Sequence, residues 1–358
     1  GIVFPFLFYY FNIILKILFL ILYNGINFTS KLNFGNFEIA TPELWMVILF
    51  YFVIFISPFL FKKRSIIILK KKNIFHRKLF IFILILILIF NFIYKPSPKL
   101  EIVFLSVGQG DSILLNLPGG ENILVDGGGK AGINNNQGRV VLLPYLKQSG
   151  IKKLDLGIIT HFDTDHALGM ISLLREDKLK ALLIPTSHSE NYLYKEAIKL
   201  ALENNIKIYK AKRGDVIKNG EVVLSILHPY VKNNYLVKNR NNNSIVIKLK
   251  YHHFSLLLTG DLEKEGELKL VKSGDNLESQ ILKLGHHGSN SSSSKEFLEK
   301  VNADEAVISV GENNYGHPAQ EVIERVNEFG MRKWITKEDG AIIIETDGFS
   351  YNVESIVR

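Results

Sequence analysis

Within Thr160-His161-Phe162-Asp163-Thr164-Asp165-His166, two imidazoles and two carboxylates fall inside six residues. The preceding run Leu154-Asp-Leu-Gly-Ile-Ile-Thr160 reads as a buried strand, and Ala167-Leu-Gly-Met-Ile-Ser-Leu-Leu174 reads as the start of a helix. Side chains at i, i+2, i+4 and i+5 across a strand-to-helix turn can converge on one point. Histidine and aspartate are the right types to hold a divalent cation there. A polar loop capping the next helix would explain one of the four, not all of them together. Other apolar runs also end in groups that bind cations. Leu256-Leu-Leu-Thr-Gly-Asp261 and Asn122-Ile-Leu-Val-Asp126 each deliver a carboxylate, and Ile281-Leu-Lys-Leu-Gly-His286-His287-Gly288-Ser289 delivers two histidines. Ala306–Val310 leads to Gly311-Glu-Asn-Asn-Tyr-Gly-His317-Pro318. Polar groups at several strand ends are what a metal site built on a sheet requires.

These segments resemble the metallo-β-lactamase superfamily: His161-x-Asp163-x-Asp165-His166, Gly260-Asp261, His286-His287-Gly288-Ser289 and Tyr315-Gly316-His317-Pro318. More narrowly they resemble the C-terminal hydrolase domain of the ComEC competence proteins. Leu105-Ser-Val-Gly-Gln-Gly-Asp-Ser112, Leu143-Pro-Tyr-Leu-Lys147 and Asn241-Asn-Asn-Ser-Ile-Val-Ile247 support that match, which covers roughly residues 99–358. The wider superfamily has histidine where this chain has Asp163. A carboxylate there hardens the site, so manganese or magnesium competes with zinc.

The resemblance implies a four-layer α/β/β/α sandwich holding two divalent metal ions, and a nuclease acting on DNA at the mouth of an uptake channel. In that reading His161 and Asp163 hold one metal, Asp165 and His166 the second, Asp261 bridges and His286 completes a site. His287 and His317 contact phosphate oxygens or protonate the leaving group, and Asp126 orients a ligand histidine. Ser289, Asn314 and Tyr315 contact substrate. Two other classes stay open: a membrane-tethered hydrolase of a small exterior phosphodiester or ester, and an inactive scaffold of a transport assembly. The intact ligand set argues against the scaffold.

Composition divides the chain in two. The formal charge of +8 rests on 43 Lys/Arg and 35 Asp/Glu. Residues 1–98 hold 11 and 2 of these, which leaves 32 basic and 33 acidic residues for the rest. DNA contact in the second part must therefore come from a local patch rather than a global field. The first part reads as the end of a transmembrane channel domain, with spans at about 2–23, 44–61 and 79–94, preceded by more of the same protein. Lys16, inside the first span, marks a pore or partner-helix face. Pro96-Ser-Pro98 is a short stiff linker to the hydrolase domain at 99–358. The absence of cysteine removes thiolate ligands.

Strands are expected at 101–107, 112–117, 122–126, 154–160, 181–184, 206–210, 221–227, 244–250, 254–259, 280–285, 305–310, 333–336, 341–346 and 350–356. Helices are expected at 138–149, 167–175, 190–204, 262–272, 295–301 and 319–329. Ser289–Ser294 is expected to cap the helix at Lys295 and line the site. His228 reads as a strand-end surface residue with a ligand role as the alternative, His252 and His253 as exposed turn residues, and His188 as a loop residue.

The loop at 62–78 carries eight Lys/Arg, and the loop between the first two spans carries only Lys31. The positive-inside rule then places the basic loop in the cytoplasm and residues 99–358 outside the cell membrane, where the resemblance implies lipid, DNA and other uptake components as partners. Protease added to intact cells should cut within 99–358 and spare 62–78 until the membrane is opened. The reverse pattern would overturn the orientation.

Overall fold

The computed structural model describes residues 3–30, 44, 47–48, 51–52, 99–129, 138–186, 191–230 and 240–356. Helix α1 (Val3–Ser30) covers most of the first expected span, with Phe19 and Phe28 exposed. Among the described residues, no helix is long and apolar enough to cross a membrane. The other two expected spans lie outside the described residues, apart from Leu44, Val47, Ile48, Tyr51 and Phe52.

Two sheets dominate the chain from Lys99 onward. The first contains β1 (Leu100–Phe104), β2 (Ile113–Asn116), β3 (Asn122–Val125), β4 (Leu156–Ile158), β5 (Ala181–Pro185) and β6 (Lys207–Ala211) in sequential order. It is closed at its other edge by β14 (Ala341–Thr346) and β15 (Tyr351–Ile356). The second runs from β7 (Val216–Asn219) through β8 (Val222–His228), β9 (Val246–Tyr251), β10 (Phe254–Leu258), β11 (Ile281–Lys283) and β12 (Glu305–Ile308) to β13 (Arg332–Ile335). In each sheet antiparallel hairpins give way to parallel strands: β3 to β6 in the first, β10 to β13 in the second. Parallel neighbours need crossovers, and helices supply most of them.

Those helices form the outer layers. α2 (Leu143–Gln148), α3 (Thr164–Arg175) and α4 (Tyr192–Glu203) bury Leu146, Met170, Leu173 and Ala197 against the outer face of the first sheet. α5 (Lys264–Lys272), α6 (Lys295–Val301) and α7 (Gln320–Glu328) bury Leu270, Phe297 and Val326 against the second. Between the sheets lies the central core of Phe104, Leu115, Ile158, Ile247, Leu256 and Ile344. This is the expected α/β/β/α order. A single turn α8 (Thr336–Asp339) and strand β7 were not legible in the sequence; β7 alternates exposed and half-buried residues at a sheet edge.

Most expected strand limits hold, but four strands stop early at the same end. β1 ends at Phe104 rather than 107, β4 at Ile158 rather than 160, β11 at Lys283 rather than 285, and β12 at Ile308 rather than 310. Within a residue or two of each of these points the regular pairing gives way to a loop that carries polar side chains. A close approach ties α3 to the loop after β3. Gly127 N–H donates to the His166 carbonyl at 2.8 Å, and Gly169 N–H donates to the Gly128 carbonyl at 2.9 Å. A Cβ on Gly169 would meet the Gly127 carbonyl oxygen at 1.8 Å, so α3 can lie on the loop after β3 only if glycine occupies both positions.

The expected role of Ser289–Ser294 is corrected. The side chain of Ser294, at the N-cap of α6, does not cap that helix. Glu267, fully buried on α5, accepts from the N–H groups of Ser293 (2.5 Å) and Ser294 (2.8 Å) and does the capping from a neighbouring helix. Glu267→Ala strands both donors and should destabilise the fold by about 2–3 kcal/mol, with Glu267→Gln losing roughly half as much. Urea unfolding midpoints of the three proteins check this; equal midpoints would refute it.

Candidate metal centre

Where the two sheets meet, three backbone positions adopt left-handed conformations that side chains beyond glycine enter at a cost. They are Asp126 (φ 58°), His286 (φ 50°) and His287 (φ 53°). The left-handed turn at Asp126 points its carboxylate across the end of β4. Oδ1 accepts the Thr160 N–H at 2.8 Å, and Oδ2 accepts the Thr160 hydroxyl at 2.6 Å and faces His166 Nδ1 at 2.8 Å. The paired left-handed turns at His286 and His287 aim the two adjacent rings apart. His287 turns inward and hydrogen-bonds through Nδ1 to the Ser309 carbonyl at 2.9 Å.

With both Nδ1 atoms engaged by acceptors, the Nε2 atoms of His166 and His287 face each other at 3.3 Å. His166 Nε2 lies 3.1 Å from Asp261 Oδ1, and His287 Nε2 lies 3.5 Å from Asp261 Oδ2 and 3.2 Å from Asp165 Oδ2. Two imidazole nitrogens and two carboxylates therefore converge on one small volume. Beside it, His161 Nε2 sits 3.8 Å from Asp261 Oδ2 and 3.9 Å from Asp163 Oδ2. Asp163 also meets Arg240 at 3.1 Å.

The residues fit divalent metal. His161 Nε2 is buried without a hydrogen-bond partner, and such an orphaned lone pair is costly unless a cation meets it. Burial, and then the neighbouring His166, push His161 down to about 3, so its ring is neutral and its Nε2 lone pair free. Burial alone would lower His166 and His287 and raise Asp261. The mutual attraction of these charges outweighs it, holding both histidines well above their ordinary value and Asp261 well below its own. Cation binding at this knot must then release histidine protons.

The placement departs from the sequence reading at several points. His161, Asp163, Asp165, His166 and Asp261 come together as expected. His287, not His286, enters the knot. His286 stays at the rim, with Nε2 3.9 Å from Asp261 Oδ2 and Nδ1 3.4 Å from Glu263 Oε1, and its ring lies 5.4 Å from that of His317. Asp126 lies behind His166. Asn314 and Tyr315 line a cavity of about 1220 Å³ above the knot, with Arg240, His286, His317 and Tyr192. Ser289 does not line it; its hydroxyl meets Ser291 Oγ at 3.1 Å.

Outside the site, His228 is buried rather than at the surface, with Nδ1 2.9 Å from the Ser244 carbonyl, and it takes no part in the knot. His252 and His253 form the β9–β10 turn, half-buried and exposed, against Phe349. His188 lies outside the described residues.

Several participants had no role assigned from sequence. Asp111, in the loop between β1 and β2, and Lys283, at the end of β11, are both buried and 2.6 Å apart. Ser244 Oγ accepts the Asp261 N–H at 3.1 Å, and Asn242 Oδ1 accepts the Glu263 N–H at 3.1 Å, so the Asn-Asn-Asn-Ser segment holds the Asp261 loop. Asn313 bonds to the backbone of Gly311, Tyr315 and His317 and so shapes the rim.

Residues 105–312 match the family model described as Metallo-beta-lactamase superfamily. ComE operon protein 3 of Bacillus subtilis (strain 168) is 33% identical over 258 residues, covering 69% of this chain and 33% of that protein. Competence protein ComA of Neisseria gonorrhoeae is 31% identical over 249 residues, 69% of this chain and 32% of that protein. Recombination protein 2 of Haemophilus influenzae is 30% identical over 235 residues, 65% of this chain and 27% of that protein. The chain thus spans about a third or less of the length of these relatives.

His228 also supplies a pH test. Burial pushes it down to about 4 from 6.5, so between those values the unfolded chain binds a proton that the folded chain refuses. Its contribution is complete above pH 6.5 and lost as pH falls toward 4, by on the order of 3 kcal/mol. His228→Asn should flatten that part of the stability profile, read from denaturant midpoints at pH 7, 5.5 and 4. An unchanged slope would show that His228 is not its source.

Proposed function

From a chain that belongs to the metallo-β-lactamase superfamily, and within it to the ComEC-like competence proteins, we propose a metal-dependent nuclease that degrades one strand of DNA during uptake. Residues 99–358 form its catalytic domain, held outside the cell membrane by the spans that precede it. The observation that carries this reading is the convergence of half-buried Asp165 with buried His166, Asp261 and His287, with His161 and Asp163 alongside, beneath a cavity of about 1220 Å³.

Asp165, His166, Asp261 and His287 are the residues to hold one metal. His161 and Asp163, together with Asp261, would hold a second. Divalent ions at such a centre supply Lewis acidity toward a phosphoryl oxygen and toward water. Asp126 and the Ser309 carbonyl fix the ring orientation of His166 and His287, as partners behind ligand histidines do. His286 and His317 stand at the rim, where an imidazole can contact a phosphate oxygen or give a proton to the leaving group. Burial, and then the neighbouring His286, lower His317, so at neutral pH it accepts a proton before it donates one. Arg240 offers the phosphate a positive charge from the same rim. Tyr315, largely exposed, offers a flat face to a base.

Oxygen donors at Asp163, Asp165 and Asp261 favour manganese in function, although the imidazoles bind zinc more tightly. Purified full-length chain, stripped with chelator, should cleave DNA best when manganese is restored, with zinc or magnesium less effective. Asp261→Ala should lower that activity by more than about a hundredfold while the circular dichroism spectrum is kept. Full activity in folded Asp261→Ala protein would sink the shared-ligand assignment. Hydrolysis of small phosphodiesters with DNA left intact would favour a tethered hydrolase of small substrates instead.

A further inference from the structure

Lys283 is completely buried, and its ammonium has three partners: the Gly260 carbonyl at 3.0 Å, the Leu284 carbonyl at 3.0 Å and Asp111 Oδ2 at 2.6 Å. Asp111 is equally enclosed. The ion pair between its Oδ2 and Lys283 is its closest compensation. The other face of that carboxylate looks at the backs of the two central histidines, with Oδ1 3.5 Å from His287 Nδ1 and Oδ2 3.8 Å from His166 Nδ1. Donor atoms of Asp111, His166, Asp261 and His287 all lie within 4.8 Å of one another, so Asp111 stands at the distance of a potential extra ligand.

We infer that Lys283 is a fixed counter-cation that binds Asp111 and keeps it out of the coordination shell, setting both the donor set and the strength of cation binding. The inference rests on the reading that Asp165, His166, Asp261 and His287 hold a metal ion. The charges oppose one another. Asp111 alone, behind two ligand imidazoles, would strengthen cation binding through a medium of low dielectric constant, and Lys283 cancels that field. An unpaired buried carboxylate is neutralised most cheaply by whatever positive charge is at hand. Without Lys283, that charge is a divalent ion.

Two single substitutions must therefore act in opposite directions. In Lys283→Met, Asp111 is left for the metal, and Mn²⁺ affinity of the full chain should rise by about tenfold or more. In Asp111→Asn, the ammonium is left uncompensated near the ligands, and affinity should fall by about tenfold or more. The double variant, with both charges gone, should return to within about threefold of wild type, as should Lys283→Arg, which keeps the charge.

Mn²⁺ affinity is read from the electron paramagnetic resonance signal of free Mn²⁺ during titration, with folding checked by circular dichroism. If Lys283 only braced the fold, both single variants would bind Mn²⁺ more weakly and the double variant more weakly still, which would overturn the inference. A tenfold rise in Lys283→Arg would overturn it as well. That pair of charge-preserving and charge-free variants carries the test if a single variant does not fold. Wild-type chain that binds neither Mn²⁺ nor Zn²⁺ would instead defeat the metal reading itself, and this inference with it.

Discussion

Buried charge is the constraint on which the rest depends. Asp111, Asp126, Asp261 and Lys283 are each no more than 3% exposed, and His161, His166 and His287 sit among them. None of these charges can be left alone in such a setting, because desolvation costs several kcal/mol per ion. Each must face an opposite charge or a well-aimed dipole. The fold answers by bringing ends of strands from both sheets to one place: β3 with Asp126, β4 with His161, β10 with Asp261 and β11 with Lys283. The sandwich core between the sheets keeps those ends in register.

Within the knot a division of labour follows from geometry. Atoms facing away from the cavity are tied to protein, and beside the knot His161 Nε2 keeps a free lone pair. His166 and His287 show it most clearly, each with Nδ1 held from behind and Nε2 presented forward. Thr160 carries the same logic a step further out, since its N–H and hydroxyl both go to Asp126.

Much of this was legible in the sequence, because apolar runs ending in Asp or His mark where strands stop and chemistry starts. The ligand-bearing segments, all the helices but the single turn α8, and all but one strand of the two sheets were read from the sequence. What it could not resolve was direction. His286 and His287 are adjacent and chemically identical, and only the left-handed backbone at both decides which ring turns inward. Lys283 did carry a signal, since a lysine inside Ile281-Leu-Lys-Leu284 is a charge within an apolar strand and demands a buried partner. Naming Asp111 as that partner needed a contact across 172 positions of chain, which no local pattern encodes. The capping of α6 by Glu267 was hidden for the same reason, and a run of serines beside a helix start was the nearer and misleading explanation.

Strand polarity has a further consequence. β1 begins beside a cleft lined by Lys99, Asn122, Lys153 and Lys180, at the starts of β1, β3 and β5, whereas the metal-binding groups lie beyond the finishing ends of β3 and β4. A five-residue strand advances the chain by about 13–17 Å, so Lys99 enters at the pole opposite the cavity. Lys99 itself therefore takes no part in lining the opening.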